Sequence, residues 1–432
     1  MNSLWSATAQ NRRFPTLEGD KRAEVVIIGG GLAGLMCLKE LSDRGVDCVL
    51  LEAKTIGSGV TCNTTAKITF QHGLIYDKLI KKYGTEKADM YLSANRSAVE
   101  KFRKMSDIYP CDFEEKDAFI YSETDREKIE REIRAYQKLG VPAEFCSEIP
   151  LPVSCAGAVR ISSQAQFHPL KFMYGVSENL RIYENSKVTE FLPGKVKCEK
   201  GSVSAEKIII ATHFPIINKH GAFPLKLYQH RSYVIAVDNA PDINGMYLDE
   251  KENGFSFRNY KDMLLIGGGD HRTGKPGGGY DVLKDFCRKN YPDSAERYHF
   301  ATQDCMSLDS MPYIGRYSGR TENVFVATGF NKWGMTSSLV AADILSDMVT
   351  GIKNPYAELF APDRSVLHPQ LFANIFHSFT GLITPTVPRC PHLGCALKYN
   401  KEEHSWDCPC HGSRFSENGE LIDNPATDDL KK

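Results

Sequence analysis

The stretch Ala23-Glu-Val-Val-Ile-Ile-Gly29-Gly-Gly31-Leu-Ala-Gly34 restricts the fold more than any other part of the chain. Its apolar run ends in glycines, continues into an apolar helical segment from Leu35 to Leu41, and is followed by Cys48-Val-Leu-Leu-Glu52. This order is a βαβ unit, which requires a parallel sheet with a crossover helix on its face. Gly29 makes the tight turn, Gly31 lets the backbone approach a pyrophosphate, Gly34 lets helix pack on strand, and the helix N-terminus supplies an anion site. Glu52 ends the second strand, 18 residues after Gly34, where a carboxylate can accept hydrogen bonds from the ribose of an adenosine. A glycine fingerprint alone is weak, but bracketed by both strands and followed by that acid it specifies a dinucleotide site.

Near the other end, Cys390-Pro-His392-Leu-Gly-Cys395 is followed, with fifteen residues between His392 and Cys408, by Cys408-Pro-Cys410-His411-Gly-Ser413. This reads as a Rieske [2Fe-2S] site, in which Cys390 and Cys408 hold one iron while His392 and His411 hold the other. The gap suits two short loops facing each other across a cluster. A structural zinc site is the alternative, although zinc motifs usually pair Cys with Cys at two intervening residues. The loops resemble those of cytochrome bc-type Rieske proteins. That resemblance implies a Cys395–Cys410 disulfide and a hydrogen bond from Ser413 to a cluster sulfur. Phe415 stands where those proteins commonly carry a tyrosine, so one potential-raising hydrogen bond is expected to be missing.

The two signals together select the dinucleotide. A Rieske cluster takes one electron at a time, whereas a nicotinamide gives up two as hydride; a flavin can do both, so FAD is the cofactor that makes the pairing sensible. The N-terminal part of the chain resembles the D-amino-acid oxidase and glycine oxidase superfamily, and the whole chain resembles bacterial Rieske-domain-containing FAD-dependent oxidoreductases. The resemblance rests on the glycine fingerprint and on later segments: Gly59-Val-Thr-Cys-Asn-Thr64-Thr65-Ala-Lys67, Gln164-Ala-Gln166-Phe167-His168-Pro169, Ile208-Ile-Ile-Ala211-Thr212, Asp309-Ser-Met-Pro312-Tyr-Ile-Gly315, and Val324-Phe-Val-Ala-Thr328-Gly329-Phe-Asn-Lys-Trp-Gly334-Met335-Thr336. It implies that Thr64, Thr65 and Lys67 run past the pyrophosphate toward the flavin ring. The turn at Gly329, Gly334, Met335 and Thr336 would present backbone N–H groups to the flavin's pyrimidine edge.

The expected fold is an α/β FAD-binding Rossmann-like domain with an inserted α+β substrate domain and a small C-terminal Rieske-type iron–sulfur domain. The FAD-binding domain is assigned to residues 1–80, 146–224 and 300–365, and the substrate domain to 81–145 and 225–299. A linker helix follows over 366–388, and then a reduced Rieske domain over 389–432. Within the inserts, Thr124-Asp-Arg-Glu127 reads as a capping box opening a helix that reaches Gly140, and Arg231–Ala236 and Met263–Gly269 read as strands of a mixed sheet. Only one apolar segment, from Gln370 to Pro385, precedes the first ligand loop, so the small domain is expected to lean on the FAD domain. Leu371, Ile375, Phe376, Phe379 and Leu382 suit a helix whose apolar side is buried against the main body, with a membrane-surface helix as the alternative.

A formal charge of −1 without a basic block gives no reason to expect nucleic acid, and the longest apolar runs fall short of a membrane span. The polar N-terminus lacks a secretion-signal pattern, which places the protein in the cytoplasm. Of thirteen cysteines, nine lie outside the ligand loops without a pairing pattern and are expected to be reduced. The reaction expected is oxidation of a small amine or amino acid, with electrons passing singly between FAD and cluster in either direction and exchanged with a redox partner. The alternatives are a pure electron-transfer flavoprotein and a simple oxidase that uses oxygen. An arginine is the natural anchor for a substrate carboxylate, so Arg231, Arg258 and Arg272 are candidates, with Tyr233 and His271 as polar neighbours.

Overall fold

The computed structural model describes residues 3–217, 220–365, 367–385 and 388–430. The expected linker boundary at Val366 and the chain end at Lys432 lie outside the described residues. Strand Gly19–Ile28 lies between Gly201–Ile210 and Cys48–Leu51 in parallel register, with Ile28 opposite both Ile210 and Leu51. Val324–Thr328 and Ile182–Tyr183 extend this sheet in parallel on either side. Strand Gly19–Ile28 is exposed at its start and buried from Val25 onward, as a strand covered on both faces must be. Helices Leu32–Asp43 and Gly334–Thr350 pack against each other on this sheet. Each begins just after a glycine turn, so both N-termini open toward the carboxyl ends of the strands, where ligands of open α/β sheets bind.

A second, nine-stranded sheet holds Ala295–Ser307, Leu227–Asp238, Met263–Arg272, Ser256–Tyr260, Met246–Asp249, Glu114–Ser122, Gly157–Gln166 and Lys67–Ile68 in that order, with Glu144–Cys146 beside Gly157–Gln166. Only the Met246–Asp249/Glu114–Ser122 pair is parallel, so the sheet is mixed, as its sequence pattern suggests. Its membership corrects the boundaries drawn at 146 and 300. Gly157–Gln166 is hydrogen-bonded to Glu114–Ser122, and Ala295–Ser307 runs along Leu227–Asp238 to its end. The cap at Thr124 is also corrected: Asp125 is the N-cap residue of helix Arg126–Lys138, and its carboxylate accepts from the Lys128 N–H.

Helix Pro369–Ile383 then leads to a small four-stranded antiparallel sheet, Lys398–Asn400, Ser405–Asp407, Arg414–Ser416 and Leu421–Asp423. Its own apolar cluster is small, centred on Leu397, Phe415 and the four loop cysteines. Contacts to the main body supplement it. Asn424 donates to the carbonyls of Thr212 and Phe214 at 2.7 and 2.8 Å, and Gln229 donates back to the Asn424 carbonyl. At two points only glycine permits the approach: a Cβ on Gly274 (φ +72°) would sit 2.7 Å from the Pro409 nitrogen, and one on Gly412 (φ +85°) would sit 2.6 Å from Gln229 Cβ. The helix itself does not bury its apolar side. Asn374 and Gly381 face inward, while Ile375, Phe376, Phe379 and Leu382 are exposed. Asn374 must face inward because it bonds the Leu225 carbonyl and Arg272.

Candidate functional site

The nucleotide end of the site is a cradle that side chains would fill. Gly29 (φ +110°) lies so close to the next strand that a Cβ there would be 2.4 Å from the Ala211 carbonyl oxygen, and a Cβ on Gly34 would be 1.9 Å from the Gly29 oxygen. Glu52 accepts the Gly30 and Lys54 N–H groups at 2.6 and 2.7 Å, and burial pushes its carboxyl pKa up. The loop before Lys67 is fixed from behind. The Trp5 indole N–H donates to the Thr64 carbonyl at 2.7 Å, and buried Arg258 donates to the carbonyls of Thr65 and Ala66 at 2.7 and 3.0 Å.

One cavity of about 1020 Å³ joins these parts. Gly29, Gly31 and Glu52 line one end, Thr64, Thr65, Lys67, Gly329, Gly334 and Met335 the middle, and Arg231, Tyr233 and Asp270 the sheet side. Its size and lining suit an extended dinucleotide with a smaller ligand beside it. Gly34 lies beneath the cavity, where it packs helix on strand. Thr336 does not line it, because its hydroxyl is bonded to His72 at 3.0 Å. Asn331 and Lys332 both have left-handed backbones (φ +51° and +71°), which turn the chain sharply before helix Gly334–Thr350.

The arginine anchors are corrected by their partners. Arg231 lines the cavity, but its guanidinium is paired with Glu403 of the C-terminal domain, whose carboxylate also meets the Tyr233 hydroxyl at 3.3 Å. Arg258 does not line the cavity: its Nε and Nη1 donate to backbone carbonyls, while Nη2 is buried without a hydrogen-bond partner. Arg272 donates to the carbonyls of Pro409 and Cys410 and lies over the Tyr228 ring. His271 also stands outside the cavity, stacked on Tyr233 with ring centroids 5.6 Å apart.

Sequence reasoning missed the charged group the sheet does present to the cavity. Lys332 pairs with Asp270 and stays a cation beside Asp304, whose carboxyl burial pushes up to about 6. The signal was available in part, since Lys332 lies inside the Gly329–Gly334 turn and Asp270 adjoins His271. Lys67 also lines the cavity, and burial together with the Arg258 charge brings it down to about 7, so it can exchange a proton near neutrality.

At the ligand loops, the His392 and His411 rings lie 5.0 Å apart at 89°, and burial holds them down at about 4 and about 3, neutral as metal ligands must be. His411 Nδ1 is buried without a hydrogen-bond partner, while Nε2 faces Ser378 at 3.5 Å. An orphaned ring nitrogen next in sequence to Cys410, in a small domain whose four loop cysteines are all buried together, fits a cluster iron. Ser413 is buried behind the loops, where its hydroxyl accepts the Ala426 N–H at 3.0 Å. Cys395 and Cys410, expected as a disulfide, are free thiols, and their sulfurs lie with that of Cys408 within 4.8 Å of one another. The cavity and the ligand loop are one side chain apart: Gln303 lines the cavity and donates to the Gly412 carbonyl, next to His411, at 2.8 Å.

Comparison with known proteins agrees with both halves. Residues 24–348 match the family model "FAD dependent oxidoreductase" (DAO), and residues 374–432 match "Rieske [2Fe-2S] domain". The Bacillus subtilis (strain 168) protein YhfW, whose name describes a Rieske 2Fe-2S iron-sulfur protein, is 33% identical over 100% of this chain and 97% of its own length. Gamma-glutamylputrescine oxidoreductase of Escherichia coli (strain K12) is 23% identical over 81% of this chain and 89% of its own. The crystal structure of glycine oxidase from Geobacillus kaustophilus superimposes with a TM-score of 0.67 at 19% identity, over 80% of this chain and 100% of its own, which shows a shared fold.

Proposed function

We propose, from the premise that this chain belongs to the FAD dependent oxidoreductase (DAO) family and ends in a Rieske [2Fe-2S] domain, that it oxidises a small amine or amino acid and passes electrons singly between its two centres. Bound FAD supplies hydride transfer and single-electron exchange, and the cluster supplies one-electron exchange. The observation that carries the reading is the shared cavity: nucleotide loops, substrate sheet and iron–sulfur domain all border one space. A relative named for gamma-glutamylputrescine, itself an amine derivative, supports the substrate class.

In this reading Gly29 and Gly31 would admit the pyrophosphate, Glu52 would accept from the adenosine, and the helix N-terminus at Gly334 would stabilise charge on the flavin. Lys67 and the Asp270–Lys332 pair would border the space beside the ring, where the ion pair would orient substrate and Lys67 would exchange its proton. Cys390 and Cys408 would hold one iron and His392 and His411 the other. Gln303 ties the cavity wall to the ligand loop and keeps the two centres at a fixed separation. A redox partner exchanges electrons with the cluster, and a cytoplasmic location belongs to the same reading.

Anaerobic turnover of a panel of amines and amino acids with an artificial acceptor tests the reaction. The reading predicts substrate-dependent bleaching of the flavin by at least one compound and steady turnover without oxygen. Turnover that stops when oxygen is removed, despite the acceptor, would favour a simple oxidase.

A further inference from the structure

Helix Pro369–Ile383 presents a continuous apolar stripe to solvent: Phe372, Ile375, Phe376, Phe379, Leu382 and Ile383 are each between 44% and 67% exposed. Their spacing of three and four residues places them on one side. The opposite side is fixed in place. Asn374 is bonded to the Leu225 carbonyl, Ser378 faces His411, and a Cβ on Gly381 would lie 2.4 Å from Cys410 Sγ. The helix therefore cannot roll to bury the stripe without leaving the ligand loops. Leu367 before the helix and Leu393 beside His392 are exposed as well, so the apolar surface continues past both ends. Monomeric proteins rarely leave so many large apolar side chains contiguous and uncovered.

The charges around the stripe indicate what covers it. The helix carries no Lys, Arg, Asp or Glu, and from Arg364 to Lys401 the sequence has no acidic residue at all. Cations border it: Arg389 donates to the Leu382 and Thr384 carbonyls at the C-terminal end, and Lys275 is within electrostatic reach of His377. At 15 residues the helix is too short to cross a bilayer, and among the described residues no helix is long and apolar enough to do so. An uncharged helix with phenylalanines on one side, cations at its margins and no acid in its own stretch of sequence matches the chemistry of an interfacial helix lying on anionic lipid.

We infer that the Phe372–Ile383 face is a docking surface for an anionic lipid membrane, on which the helix lies flat with the iron–sulfur loops directly behind it. Ser378 and His411 then stand one helix thickness from the lipid headgroups.

Sedimentation of the full chain, with both cofactors bound, tests the inference with vesicles of phosphatidylcholine alone and of phosphatidylcholine and phosphatidylglycerol in equal amounts. The wild type is expected to sediment with the anionic vesicles, and less so as salt is raised. The double variant Phe376→Ser/Phe379→Ser is expected to bind at least about tenfold more weakly while keeping the flavin spectrum and melting temperature of the wild type. Wild-type protein left in the supernatant with both vesicle types, or equal binding by the variant, would overturn the inference. So would light scattering that shows a wild-type dimer dissociated by the same two substitutions, since the stripe would then be an interface between copies.

Discussion

Glu403 meets two guanidinium groups, those of Arg231 and Arg414, together with the Tyr233 hydroxyl. Arg231 is 2% exposed, and Glu403 is the only acid paired with it among the described residues. Removing that carboxylate leaves a buried cation uncompensated, so Glu403→Ala should cost about 3 to 5 kcal/mol. A chemical-denaturation curve measures the loss, and Glu403→Gln should recover part of it. A second buried pair sets an acid limit. Burial alone would raise the Asp309 carboxyl, but two hydrogen bonds from Arg364 outweigh it and hold the group below the ordinary aspartate value of 3.8. A depressed folded pKa gives stability that is present above the ordinary value and lost as pH falls through the folded one. Asp309→Asn should therefore flatten the decline of the urea midpoint between about pH 5 and pH 3. At this scale the sequence is informative where chemistry fixes the residue type, as with Gly29, Gly34 and the Cys and His residues proposed as cluster ligands. It is silent on where a guanidinium points: Arg231, Arg258 and Arg272 look alike in a strand pattern, yet one meets a carboxylate of another domain and two meet backbone carbonyls.

Helix Pro369–Ile383 shows both limits at the scale of elements. Its presence is legible from the apolar segment, but the linker drawn over 366–388 is longer than the helix, which begins at Pro369, a first-turn position where its missing N–H costs nothing. Its orientation is not, because an amphipathic pattern does not say which side faces protein when a small residue and a buried amide can also make the contact. Gly381 is the test. An added methyl would sit 2.4 Å from Cys410 Sγ and 3.5 Å from Cys395 Cβ, forcing the helix away from the ligand loop. Gly381→Ala is expected to lower iron content and weaken the cluster signal while FAD content stays near one per chain; equal loss of both would place the damage elsewhere. Strand Gly157–Gln166 was hidden for a different reason. It pairs with Glu114–Ser122, more than thirty residues earlier, and nothing local distinguishes a strand of one sheet from a strand of its neighbour.

Over the whole molecule, two recognisable parts share one interior. The FAD-dependent oxidoreductase body and the Rieske domain are each legible from short motifs, because pyrophosphate binding and mixed Cys/His ligation tolerate few alternatives. Their relative placement depends on long-range contacts such as Gln303 to Gly412 and Asn424 to Thr212, which no motif encodes. Those contacts put the ligand loops against the wall of the flavin cavity, and the central claim is that electrons cross that wall. Low-temperature EPR of the intact protein during anaerobic photoreduction of its flavin tests this claim most directly. The account predicts a Rieske-type signal that grows as the flavin bleaches and approaches one spin per chain. Fully bleached flavin without that signal, in protein shown to contain iron, would contradict it.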